Sequence, residues 1–112
     1  MKLESNKIKL QAIDFKASRK LSAFVRKHVA KLNLLSDRIV ESHVSLKVNA
    51  STGPENKVCE ITLMMPGKDL FVSKTGQSFE ESIAIAVDAL KHPLEHWKAS
   101  TNGKRKNLRK SS

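Results

Sequence analysis

Tyrosine is absent from this chain, and its only aromatic residues are Phe15, Phe24, Phe71, Phe79 and Trp97. A platform that stacks several unpaired bases is hard to build from so few rings, so any nucleic acid is expected to be held by backbone and shape. The single cysteine, Cys59, excludes an internal disulfide. No uncharged apolar run approaches the roughly 20 residues that span a bilayer, and the opening MKLESNKIKL lacks the apolar stretch of a secretory leader. These absences point to the cytoplasm. No glycine-rich phosphate loop or nucleophile elbow occurs, and Asp14, Asp37, Asp69 and Asp88 form no pair spaced for acid-base work. The expectation is therefore a protein that is not an enzyme and carries no cofactor.

Acidic residues are also scarce: eleven Asp and Glu stand against twenty-one Lys and Arg in 112 residues, a net charge of +10. Residues 1–97 carry 15 basic and 11 acidic groups, whereas residues 98–112 carry 6 basic groups and none acidic. A length of this size supports one modest core. The organisation expected is one domain over residues 1–98, followed by a flexible basic tail over residues 99–112. Such a cation surplus attracts polyanions, because neutralising phosphates releases condensed counterions. Nucleic acid ranks ahead of an acidic membrane surface as the partner.

Ile8, Leu10 and Ala12 alternate with polar residues, which predicts a first strand. Ser18 stands before a period of 3.6 in which Leu21, Phe24, Val25, Val29, Leu32 and Leu35 share an arc, so a helix is predicted over 19–35. The run 39–49 alternates through Val44, Leu46 and Val48. The cluster 49–56 is dense in turn formers, and Cys59, Ile61, Leu63 and Met65 then share one strand face. Pro66-Gly67 turns the chain into a short strand at Leu70, Phe71 and Val72 that ends at Thr75-Gly76-Gln77. Ser78 and Glu81 have the spacing of a capping box and open a second helix, kinked at Pro93 and reaching about Lys98. This order predicts a two-layer α+β domain, β-α-β-β-β-α. Its mixed four-stranded sheet carries both helices on one face.

The stretch from Ala17 to Leu32, followed by Ser36-Asp37-Arg38-Ile39, resembles the first helix of the bacterial ribosome hibernation promoting factors, also called ribosome-associated translation inhibitors. Val44–Val48 is similar to that family's second strand, Pro66–Phe71 to its third hairpin, and Phe79–Ser82 with Ala86–Leu90 to its second helix. About residues 6–98 are covered, and order and spacing carry the likeness rather than any one motif. The resemblance implies a short-form member that binds the small ribosomal subunit and its ribosomal RNA in the messenger and transfer RNA channel. Such a member silences translation in hibernation or stress, and a ribosome-pairing partner protein is compatible with it. Ala12, Ala89 and Pro93 depart from the family's usual pattern, as does the opening Ser78–Glu81 of the second helix.

Helix one carries Arg19, Lys20, Arg26, Lys27 and Lys31 and no acid. A merely solvated face ordinarily mixes signs, since opposite charges at spacings of three or four support a helix. Five like charges point to phosphate binding, with Lys20, Lys27 and Lys31 on one flank and Arg19 and Arg26 on the other. Lys104, Arg105, Lys106, Arg109 and Lys110 form a polybasic arm, flanked by Lys91, His92, His96 and Lys98. The family likeness adds Arg38 to the RNA-binding set. His92 and His96 have the spacing of a helical ligand pair, but no third ligand lies near, so no metal is assigned. His28 falls at the edge of the apolar arc, and Cys59 on the inward strand face. The alternative is a general double-stranded or structured RNA-binding module. A double-stranded RNA-binding domain begins with a helix, whereas this chain begins with a strand.

Overall fold

The computed structural model describes the backbone of residues 7–50 and 53–111 and, within that set, the side chains through His96. Its elements follow the order β1 (Lys7–Ala12), α1 (Arg19–Leu35), β2 (Glu41–Val48), β3 (Lys57–Met64), β4 (Leu70–Gly76) and α2 (Phe79–Ser111). The sheet order is β1-β2-β3-β4, parallel between β1 and β2 and antiparallel elsewhere. The parallel pair arises because α1 carries the chain back across the sheet before β2 begins, whereas the later strands are joined by short turns. The fold is the α+β architecture expected.

One sheet face is buried. Val44, Leu46, Cys59, Ile61 and Leu63 point from it into a cluster with Leu21, Val25, Val29 and Leu32 of α1 and Ile83, Ala86, Val87, Leu90 and Leu94 of α2. Burying each large aliphatic side chain stabilises the fold by about 1.5–3 kcal/mol. Val58 is also buried, although it points to the opposite face, between Lys47 and Thr75. Phe15 stacks on Phe79 with ring centres 5.0 Å apart, tying the connection after β1 to the start of α2.

Local chemistry fixes the element ends. The Leu21 backbone N–H donates to Ser18 Oγ at 3.0 Å, capping α1, and the Ser36 N–H closes its other end on the Leu32 carbonyl at 3.2 Å. Gly67 adopts φ 83° after Pro66, the conformation that the third position of a Pro-Gly turn requires. At α2 the Glu81 N–H donates to Ser78 Oγ at 3.1 Å, while Glu81 Oε1 accepts from the Gln77 N–H at 2.7 Å. The reciprocal bond of the capping box thus lands one residue earlier than the usual pattern.

Two boundaries differ from expectation. β4 continues beyond Val72 to Gly76, because Ser73, Lys74 and Thr75 pair with Glu60, Cys59 and Val58. Ladder hydrogen bonds to β3, rather than an apolar run, set its length. Pro93 lies inside α2, and the helix does not end near Lys98 but runs on to Ser111. The residues beyond Lys98 include Ala99, Lys104, Arg105, Lys106 and Leu108, all strong helix formers, with Gly103 the lone glycine.

Candidate nucleic-acid interface

Burial divides α1 cleanly. Leu21, Val25, Val29 and Leu32 face the core, while Arg19, Lys20, Arg26, Lys27 and Lys31 are all exposed. None of these five cations has an ion-pair partner among the described residues. Arg26 Nη1 donates to the Ile8 carbonyl of β1 at 3.3 Å, which places the Arg19 and Arg26 flank on the β1 side of the helix. Lys27 and Lys31 share an exposed surface with Arg26 and Ile8.

The arrangement works against the stability of the helix. The first turn of α1 holds Arg19 and Lys20 and no acid, although that end of a helix favours negative charge by about 0.3–1 kcal/mol per group. Lys27 and Lys31 are like charges at i, i+4, a repulsion of about 0.2–0.5 kcal/mol. A face kept cationic at such a cost suits an external anion.

His28 lies at the seam between the helices, half-buried, with its ring centre 4.0 Å from that of Phe24. Burial, then the charges of Lys31, Lys27 and Lys91, hold its pKa below the ordinary value of 6.5. The structure therefore brings Lys91 of α2 into one positive field with Lys27 and Lys31. Lys91 also pairs with Asp88 at 3.9 Å, so its charge is partly spent. His92 is exposed, and its ring stands 6.4 Å from that of His96. Arg38 is exposed just beyond α1, its backbone N–H donating to Ser36 Oγ at 3.1 Å. The side chains of Lys98, Lys104, Arg105, Lys106, Arg109 and Lys110 lie outside the described residues.

The open sheet face is different in kind. Glu41 accepts from His43 at 2.6 Å and lies 3.9 Å from Lys9, while Lys47 pairs with Glu60 at 3.6 Å. The His43 hydrogen bond, with Lys9 nearby, holds the Glu41 carboxyl below the usual range. Lys9 and Lys47 on this face have carboxylate partners, whereas the α1 cations have no ion pair among the described residues. Among the described residues no three His, Cys, Asp or Glu side chains converge on a point suited to a metal ion.

Half-buried Asn33 and exposed Leu34 line the same surface as Arg26, Lys27 and Lys31, beyond the residues the charge pattern singles out. A signal existed: Leu34 lies roughly 180° from the centre of the apolar arc, where a leucine has no core to enter. The tether from Arg26 to Ile8 and the approach of Lys91 to His28 are tertiary contacts that a helical wheel does not contain.

The crystal structure of the N-terminal domain of Protein Y from Thermus thermophilus is similar to this fold at TM-score 0.71 and 22% identity, over 82% of this chain and 98% of that one. A ribosomal subunit interface protein from Coxiella burnetii is similar at TM-score 0.74 and 16% identity, over 83% of this chain and 98% of that one. No curated protein matches the chain significantly. At these identities the two structures speak for the fold alone. The match that reaches further is to a family model that spans residues 8–102, from β1 into the second half of α2. The chain belongs to the Sigma 54 modulation protein / S30EA ribosomal protein family.

Proposed function

We propose that this chain is a noncatalytic ribosome-binding factor of the cytoplasm. It lodges in the messenger and transfer RNA channel of the small ribosomal subunit and inhibits translation in hibernation or stress. The family match over residues 8–102 carries the reading. The cations of α1 support it: five exposed basic side chains, none with an ion-pair partner among the described residues, form a surface for ribosomal RNA phosphates. Arg38, His92 and the basic residues from Lys98 to Lys110 extend that surface in this reading, with Lys91 contributing weakly because of Asp88. The general double-stranded RNA module is the less favoured alternative, since the first helix among the described residues follows a strand, β1.

Sucrose-gradient co-sedimentation with separated subunits tests the partner, and cell-free translation tests the channel. The protein is expected to travel with the small subunit and to block initiation, while initiation complexes already loaded with messenger and initiator transfer RNA resist it. Equal inhibition of loaded and empty subunits contradicts occupation of the channel.

A further inference from the structure

Between α1 and the start of β1 the surface opens into a cleft of about 520 Å³, within the range of small-ligand pockets. Ile8, Ala30 and Leu34 give it an apolar lining, and Arg26, Lys27 and Lys31 bring three positive charges with no acid among the lining residues. Those cations fall within about 7.5 Å along the helix axis, a concentration that suits a phosphate group better than carboxylates spaced along a peptide. Arg26 is held in place by its bond to the Ile8 carbonyl. Two further features are unexplained by stability. Leu34 is 86% exposed, and the Asn33 Oδ1 atom is buried without a hydrogen-bond partner.

We propose that this cleft binds a nucleoside phosphate. The phosphate lies against Arg26, Lys27 and Lys31, and the base rests on the aliphatic surface of Ile8, Ala30 and Leu34. The same chemistry is offered by a free nucleotide and by an unpaired nucleotide of an RNA strand. The site shares Arg26, Lys27 and Lys31 with the ribosome reading and deepens it, and because it is measured on the isolated chain the two can fail separately.

The test is a calorimetric titration of the full chain with adenosine and guanosine 5′-monophosphates, inorganic phosphate, and a single-stranded RNA hexamer. Saturable binding of a monophosphate, at least about tenfold tighter than inorganic phosphate, is expected. Binding of the hexamer alone, lost with the same variants, supports the site and assigns the nucleotide to RNA. Leu34→Ala removes an exposed side chain, so folding is retained. It should weaken nucleotide binding about fivefold or more and leave inorganic phosphate unchanged. Lys31→Gln, also at an exposed position, should weaken nucleotide and inorganic phosphate alike. Equal affinity for phosphate and nucleotide, indifference to Leu34→Ala, or no saturable binding overturns the proposal. So does an acidic peptide that binds through Leu34 where nucleotides fail. Since no ribosome is present, failure here leaves the ribosome reading standing.

Discussion

His28 reports on the field it sits in. Its depressed pKa arises from burial and from Lys27, Lys31 and Lys91, with Asp88 offsetting part of the last charge. The unfolded chain therefore takes up a proton near its ordinary value of 6.5, where the folded chain does not. The stability contribution is present above that value and is lost as pH falls through the lower folded one. A phosphate bound at these lysines cancels their repulsion and raises the His28 pKa, so binding takes up a proton. An NMR titration should give a His28 midpoint below 6.5 that moves upward when ribosomal RNA fragments are added. An unmoved midpoint contradicts phosphate contact at this seam. Cys59 behaves oppositely on the pH scale. Burial, with Glu60 adding to it, pushes its thiol up to about 12 from 9.0, so its contribution is complete below 9.0 and is lost as pH rises towards 12. The native thiol should resist alkylation at pH 8 and react once denaturant is added. The burial of Cys59 was legible from its alternation with Ile61 and Leu63, whereas the position of Lys91 beside His28 was not, because it depends on how two helices meet.

At the scale of elements, α1 exchanges stability for charge. Lys20→Glu should raise stability by about 0.3–1 kcal/mol in thermal unfolding, by matching the helix dipole, and should weaken ribosome binding. A variant that loses both stability and binding contradicts that separation. Pro93 lies inside α2, where it lacks an N–H and crowds the carbonyl of Ala89. Pro93→Ala should raise the thermal midpoint, a gain of up to about 3 kcal/mol. The bounds of α1 were readable because its Ser18 cap and its apolar arc agree on them. β4 was read too short since an edge strand half covered by polar residues lacks an apolar signature. The apolar period of α2 stops at Trp97, whereas helix propensity carries its backbone on to Ser111.

The whole molecule divides its charge between two surfaces. Ion pairs quiet the open sheet, while α1 with its neighbours on α2 remains cationic. Charge sign and helical period made the cationic face visible in the sequence. The cleft beside β1 was not visible, since it needs Ile8 and Leu34 brought together from separate elements. Removing residues 100–112 deletes Lys104, Arg105, Lys106, Arg109 and Lys110 but no residue of the core cluster. The shortened chain should unfold at nearly the same temperature, and bind ribosomes more weakly with a shallower dependence on salt. An unchanged salt slope would show that those cations do not meet phosphate. Small-subunit co-sedimentation across a salt series tests the α1 surface most directly. It compares the natural chain, the triple reversal of Lys20, Lys27 and Lys31 to Glu, and a control reversing the exposed Lys7, Lys16 and Lys68. Thermal unfolding is first used to establish that each variant folds, since exposed substitutions shift stability by about 0.5 kcal/mol or less apiece. The α1 variant is predicted to lose most of its binding at moderate salt while the control retains it. Equal losses in the two variants would contradict the account, because net charge alone would then hold the protein on the ribosome.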